Sequence, residues 1–131
     1  MQGFLLDDID FELHTGRLLK KLRVDPESSF ARHLADMVRQ ANEVARPRAY
    51  YLIGAIQSRG EDRIVIDDVT LTSKVLQINT REVNRVFPFV ATCGSEIEAW
   101  AGTFSEMIDR YHADELRLAV LREAMAQVER A

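Results

Sequence analysis

In the first third of the chain, apolar residues recur every three or four positions, which is the spacing of one face of an α-helix. The repeating positions are Phe30, Leu34, Met37, Val38, Ala41, Val44 and Ala45. Asp25 and Pro26 supply an N-cap residue and a first-turn proline, so we expect this helix to begin there. Pro47 disfavours helical geometry at the residue before it, and the helix is therefore predicted to end near Arg46.

Similar patterns predict three more helices. A short apolar stripe indicates a first helix over residues 10–23. Gly94 and Ser95 are predicted to open another helix, with Ser95 as a possible cap. The buried stripe expected for that helix is Ile97, Trp100, Phe104, Ile108 and Tyr111. The last helix is predicted over residues 113–130.

Between these helices the pattern favours strands. Residues 48–57 are apolar on both faces, which is typical of a central strand. A turn over residues 58–62 leads to a returning strand at Arg63–Ile66, and alternation predicts a third at Val69–Thr72. We expect residues 74–78 to extend that strand or form another, 79–84 to form a helical turn capped by Asn79 or Thr80, and 86–91 to form a strand. The predicted fold class is α+β, with a small, mostly antiparallel sheet and flanking helices.

The composition is that of a globular protein, with 47% hydrophobic and 29% charged residues. The net charge is −4, from 17 basic and 21 acidic residues. The basic residues are scattered, so we expect no nucleic-acid partner. There is no apolar run of membrane-spanning length and no signal peptide, and Cys93 is the only cysteine. We therefore expect a cytoplasmic protein with no membrane partner.

The turn at Thr92, Cys93, Gly94 and Ser95 holds the candidate cofactor-binding residues. Cys93 is the only possible thiol nucleophile, but no histidine lies near it in sequence, so a small buried residue is the expected role. Gly94 and Ser95 offer backbone N–H groups at a helix start, where helix capping is the expected role. The catalytic residues stay unknown at this stage.

Metal chemistry has little support in the sequence. His14, His33 and His112 form no paired metal motif, and no metal site is predicted. The acidic groups Asp7-Asp8-x-Asp10 and Asp67-Asp68 do not have the spacing of a calcium loop, so we expect solvated turns and caps.

The order of these elements resembles the activation domain of vitamin B12-dependent methionine synthases, including stand-alone members of that family in corrinoid metabolism. The resemblance spans about residues 10–128. Its marks are a long helix ending in Ala45-Arg46-Pro47-Arg48-Ala49-Tyr50, a hairpin through Gly60, and the segment Ala91-Thr92-Cys93-Gly94-x-Glu96-Ile97. It implies a single activation-domain-like domain over residues 1–131, stopping short of the second half of such a domain.

The resemblance also implies a function. Domains of this family contact the corrinoid of a partner domain, bind S-adenosylmethionine, and support reductive remethylation of cobalamin oxidised to the Co(II) state. The family's S-adenosylmethionine motif, Arg-x-x-x-Gly-Tyr, is absent here, because the chain contains no Gly-Tyr dipeptide. We therefore expect an accessory protein that docks on a corrinoid-binding protein or methyltransferase, with cobalamin on the partner and no complete enzyme in this chain.

Two alternatives remain open. The first is a structural interaction domain that dimerises through its last helix. That helix carries one stripe at Leu118, Leu121, Met125 and Val128 and a second at Leu116, Val120 and Ala124. One stripe is expected to cover the domain's own sheet, and the second to meet a partner. The other alternative is a thiol-dependent enzyme built on Cys93.

Overall fold

The structure is a computed structural model, and it describes residues 2–130. It confirms the α+β class: 47% of the residues are helical, and the six strands form one mostly antiparallel open sheet. The chain folds as two compact units. The first comprises the residues before Leu6 together with Tyr50–Val90, and the second comprises Leu6–Ala49 and the residues from Ala91 onward.

The first unit contains most of the sheet. Within the described residues the strands are β1 (Gln2–Leu6), β2 (Arg48–Arg59), β3 (Arg63–Ile66), β4 (Val69–Thr72), β5 (Arg85–Val86) and β6 (Phe89–Thr92). β2 pairs with β1, β3, β5 and β6, which confirms its central position, and β4 pairs with β3. One helix, α3 (Lys74–Asn79), also belongs to this unit.

Two side chains stabilise residues 73–83 of this unit by hydrogen bonds. Arg59 donates from Nη1 to the carbonyl oxygen of Thr80 at 2.5 Å and from Nη2 to the carbonyl oxygen of Val83. Ser73 accepts at Oγ from the backbone N–H of Leu76 at 3.1 Å and so caps α3. The guanidinium of Arg59 thereby fixes the turn that follows α3.

The second unit is helical and contains the larger core. Its helices are α1 (Thr15–Lys21), α2 (Ser29–Val44), α4 (Ser95–Ala101) and α5 (Met107–Arg130). Four of the larger side chains in its core, Met37 on α2, Ile97 on α4, and Leu116 and Val120 on α5, are at most 1% exposed. Buried residues of all four helices form one continuous cluster.

Polar contacts set the positions of the connecting segments in this unit. The side-chain amide of Asn42 accepts from the N–H of Leu13 at 2.8 Å and donates to its carbonyl oxygen at 3.1 Å. Trp100 donates its indole N–H to Gln40 at 2.9 Å, which ties α4 to α2.

The predicted helix starts differ from the observed ones. α2 is capped by Ser28, whose Oγ accepts from the N–H of Ala31 at 3.1 Å, so the prediction of a start at Asp25 is wrong. Asp25 instead accepts at its carboxylate from the N–H of Glu27, two residues on, and forms a local turn. The start of α1 at Thr15 also contradicts the predicted start at residue 10.

The prediction of one helix through residues 95–111 is wrong. α4 ends at Ala101, and residues 102–106 connect it to α5, which begins at Met107. Ile108 and Tyr111 lie on α5 and are exposed, so they are not part of a buried stripe with Ile97. The prediction of Ser95 as the cap of α4 is also wrong, because Gly94 holds the N-cap position and no side chain caps the helix.

The strand predictions agree best with the structure beside the Asp67-Asp68 turn. β3 and β4 have the predicted bounds. The prediction of a strand at residues 74–78 is wrong, since α3 lies there, and Thr80 ends that helix instead of starting one. The strand predicted over 86–91 is divided into β5 and β6, with Phe87 and Pro88 between them.

The two stripes of the last helix are arranged differently from the expectation. Leu116, Val120 and Ala124 are fully buried, so the stripe expected to meet a partner lies inside the second unit. Leu118 and Met125, from the other stripe, are 43% and 38% exposed.

Candidate functional site

The candidate site is the junction between β6 and α4, where Thr92, Cys93, Gly94 and Ser95 follow one another. Gly94 has φ 94° and ψ 151°, a conformation that favours glycine. Its N–H donates to Oγ1 of Thr92 at 3.0 Å. The turn is therefore fixed partly by its own side chains.

Gly94 also lies against the end of α2. A Cβ at this position would come within 2.5 Å of the carbonyl oxygen of Arg46 and 2.8 Å of Oε1 of Glu96. Any side chain at this position would therefore collide with the Arg46 backbone.

An ion pair joins the same two segments. Arg48 donates from Nη2 to Oε2 of Glu96 at 2.8 Å and from Nη1 to Oε1 at 3.3 Å. The hydrogen bonds from Arg48 are the main reason that the pKa of Glu96 is lowered, and Glu96 in turn raises the pKa of Arg48. This two-point geometry orients both side chains and connects the start of β2 to the first turn of α4.

Cys93 is placed as a structural residue. Its side chain is 8% exposed, and Sγ lies 3.8 Å from the carbonyl oxygen of Gly94 and 3.9 Å from Oε1 of Glu98. Burial raises the pKa of the thiol, and the negative charge of Glu98 raises it further. Both effects disfavour the thiolate, which is the reactive form.

At the junction, the protein's own groups contact one another. The polar groups of Thr92 and Gly94 bond to each other, Cys93 is buried, and Ser95 is exposed. These are the interactions of a structural joint that holds two connections of the second unit together.

A cavity of about 250 Å³ lies in the second unit on the acidic segment before α1. It is lined by Asp7, Asp8, Ile9, Asp10, Phe11, Ala45, Arg46 and Pro47. The guanidinium of Arg46 donates to the carbonyl oxygens of Ala45 and Glu43, at 2.8 and 3.1 Å, and so serves the end of α2. The acidic segment Asp7-Asp8-x-Asp10 thus borders a cavity, whereas Asp67 and Asp68 form the turn between β3 and β4.

The histidines are dispersed. His33 contacts Oδ1 of Asp109 through Nε2 at 2.9 Å, and His14 is exposed. His112 is buried against the rings of Phe30 and Tyr111. Across residues 2–130 no group of three or more His, Cys, Asp or Glu side chains is placed to hold a metal ion.

Sequence reasoning located the junction but missed its partners. Arg46 and Arg48 are about fifty residues from Gly94 and Glu96, and only the fold brings them together. The Ala-Arg-Pro-Arg segment was noticed as part of a resemblance, and no local signal assigned its arginines to Glu96.

Comparison with known proteins gives no assignment: no protein-family profile, no curated protein and no solved structure matches this chain. Among the described residues, no helix is both long and apolar enough to cross a membrane.

Proposed function

We propose that this chain is an accessory protein that docks on a corrinoid-binding protein and supports reductive reactivation of its oxidised cobalamin. The corrinoid part of the proposal rests on the resemblance to methionine synthase activation domains. The docking part rests on one structural observation, the exposed apolar surface of the first unit.

That surface includes Val75 and Val90, which are 68% and 70% exposed. Other large apolar side chains of this unit are also exposed: Leu5, Tyr50, Val69, Leu71, Ile78, Val83, Phe87 and Phe89. Single exposed apolar residues are ordinary, but many in one small unit favour a contact surface.

In this proposal the chain orients the partner and does not carry out the redox step itself. The only thiol, Cys93, is buried and has a raised pKa, so we assign it no electron transfer. Cobalamin belongs to the partner protein. S-adenosylmethionine is assigned no site in this chain, because the family's motif is absent from the sequence.

The test is binding to a purified corrinoid-binding domain loaded with cob(II)alamin, followed by calorimetry and by the visible spectrum of the corrinoid. We expect binding with a dissociation constant of about 10 μM or tighter and a spectral change on docking. No binding at about 100 μM would reject the corrinoid partner.

Matched variants locate the surface. Phe87→Asp with Val90→Asp should weaken docking at least about tenfold, because it places charges in a desolvated contact. Leu118→Asp with Met125→Asp changes two exposed apolar residues of α5 in the second unit and should leave the affinity unchanged. The reverse result would move the contact to α5.

A second candidate function is an interaction domain that dimerises through α5. It is favoured by the exposure of Leu118 and Met125, which are seven positions apart and share one helix face. Sedimentation of the same α5 double variant tests this: a wild-type dimer that becomes a monomer supports the second candidate, and an unchanged species rejects it.

A further inference from the structure

β4 is an open sheet edge in the first unit. It pairs only with β3 within residues 2–130, and all four of its residues, Val69–Thr72, are exposed. The strand contains no charge and no proline, and its register with β3 is regular. Natural proteins usually protect such an edge by one of those devices or by covering it.

The hairpin geometry shows which backbone groups of β4 are free. Ile66 and Val69 are partners on either side of a two-residue turn, Asp67-Asp68, in which both φ angles are positive. In such a turn the flanking pair is hydrogen-bonded, and bonded pairs then alternate along the ladder. Val69 and Leu71 therefore bond to β3, while the N–H and C=O groups of Thr70 and Thr72 point away from it.

One hydrogen bond just beyond β4 supports this alternation of hydrogen-bonded and non-hydrogen-bonded pairs. The N–H of Ser73 donates to the carbonyl oxygen of Asp62 at 2.6 Å, which continues the same alternation by one bonded position. The outward groups of Thr70 and Thr72 thus form two donor–acceptor sets, spaced to bond an added antiparallel strand.

Two side chains of β4 lie on the same apolar face of the sheet as two buried side chains of β3. Leu71 lies opposite Ile64 and Val69 opposite Ile66, and such partners share one face of the sheet. Ile64 and Ile66 are 0% and 3% exposed, whereas Leu71 and Val69 are 36% and 52% exposed. The apolar row is therefore covered in the middle of the sheet and uncovered at its edge.

We propose that β4 of a second copy of this chain adds to this edge as an antiparallel strand, with the two-fold axis between the two Leu71 residues. In this register Thr70 exchanges backbone hydrogen bonds with Thr72 of the second copy, and Thr72 with its Thr70. The two Leu71 side chains meet as a close, non-hydrogen-bonded pair on the apolar face.

Charge complementarity identifies a second copy as the occupant. Asp68 precedes β4 and Lys74 follows it, so each end of the edge carries one sign of charge. A two-fold axis reverses the second strand, and the register centred on Leu71 brings the Asp68 end of each strand beside the Lys74 end of the other. Registers centred on Thr70 or Thr72 also keep the faces matched, but they do not pair these charges.

Disulfide trapping tests the register. The Leu71 pair would have Cα atoms about 4.5 Å apart, within the about 4.4–6.8 Å that a disulfide spans. Leu71→Cys should therefore form a covalent dimer rapidly on mild oxidation. Thr70→Cys is the matched control, because its two copies would be offset by two residues and lie roughly 8 to 9 Å apart.

The wild-type chain controls for Cys93, which is buried. Mixing Thr70→Cys with Thr72→Cys should trap the heterodimer although neither variant traps itself. Equal trapping of Leu71→Cys and Thr70→Cys, or faster trapping of Thr70→Cys alone, would overturn the proposed register.

Sedimentation equilibrium tests the association itself. We expect a wild-type dimer at about 100 μM and roughly tenfold weaker association for Lys74→Glu, which corresponds to about 1.4 kcal/mol. Lys20→Glu makes the same charge change on α1 and should not weaken it. A wild-type monomer at that concentration, or equal effects of the two variants, would overturn the proposal.

Discussion

At Gly94 two separate requirements meet in one residue. The backbone needs a positive φ, and the position of the missing Cβ is 2.5 Å from the carbonyl oxygen of Arg46. A side chain would have to displace backbone from the end of α2, which no rotamer change can relieve. Gly94 therefore determines how closely the start of α4 approaches the segment that follows α2.

We expect Gly94→Ala to lower the free energy of unfolding by at least about 2 kcal/mol, combining backbone strain with overpacking. Gly16→Ala is the control, because nothing lies within 4 Å of its would-be Cβ in α1, and alanine should stabilise the helix by about 0.5–1 kcal/mol. Urea denaturation of both variants provides the comparison. Similar effects of the two changes would contradict this role for Gly94.

The pair of Arg48 and Glu96 predicts a pH dependence. The folded pKa of Glu96 lies below its ordinary value of 4.5, chiefly because Arg48 donates hydrogen bonds to it. The pair's contribution is therefore complete above about pH 4.5 and is lost as the pH falls through the lowered pKa.

Glu96→Gln should thus be less stable than the wild type at pH 7, and this difference should shrink as the pH is lowered below 4.5. Denaturation midpoints over a series of pH values measure it, with exposed Glu129→Gln as the control. A difference that stays constant down to pH 2 would show that the pair does not titrate in this way.

For Cys93, burial and Glu98 both disfavour the thiolate. A thiol-specific chromogenic reagent should therefore react much more slowly with the native chain than with the chain in denaturant at the same pH. Cys93→Ala should cost roughly 1 kcal/mol of stability. Rapid native labelling near neutral pH would instead favour the thiol-dependent enzyme.

At the scale of elements, α5 shows why a helix that is apolar on several sides is difficult to orient from sequence. Its two stripes are similar in length, and only the fold decides that Val120 faces the core while Leu118 faces solvent. The stripe expected to meet a partner is buried, and Leu118 and Met125 of the other stripe are exposed while Leu121 packs against the core, because both stripes satisfy the same periodicity.

The two faces of α5 should respond differently to charge. Val120→Glu buries an unpaired carboxylate and should lower the free energy of unfolding by at least about 3 kcal/mol. Leu118→Glu lies on the exposed side and should change it by less than about 1 kcal/mol. Thermal and urea unfolding of both variants measure the contrast, and equal costs would show that the faces are misassigned.

Other elements show which sequence signals were sufficient. The bounds of β3 and β4 follow from the sequence because the Asp67-Asp68 turn separates the two strands, and because apolar residues and threonines alternate in β4. The residues of α3 favour a strand because Val75 and Ile78 prefer β-structure, whereas the hydrogen bond that Ser73 accepts from Leu76 starts a helix there. Local turn chemistry is enough to predict a turn at Gly94, whereas the contacts of Gly94 with Arg46 and of Glu96 with Arg48 depend on tertiary structure.

At the scale of the whole molecule, the two units differ in how much they bury. The second unit contains a continuous cluster of buried residues from four helices. Among the described residues of the first unit, the large buried apolar residues are Ile64 and Ile66 of β3. Units with few buried apolar contacts open more readily.

The two units should therefore differ in the rates at which their backbone amides exchange hydrogen with solvent. We expect amides of α2 and α5 to exchange slowest, and those of β4, β5 and α3 to exchange faster under the same native conditions. Addition of a partner that covers the first unit should slow the second group selectively. Uniform protection of all the elements in the isolated chain would contradict this prediction.

The contact between Asn42 and Leu13 limits which chemical changes this molecule tolerates. The segment around Leu13 belongs to no helix or strand. The backbone N–H and C=O of Leu13 are nevertheless both hydrogen-bonded, because the Asn42 side-chain amide offers an acceptor and a donor together. A carboxylate of the same shape can only accept, so it would face the Leu13 carbonyl with like partial charge. Conversion of a single amide to an acid, a change of one atom in the side chain, would thus exchange one of the two hydrogen bonds to Leu13 for a repulsion and loosen this segment at α2, while the buried Leu13 side chain stayed in the core cluster.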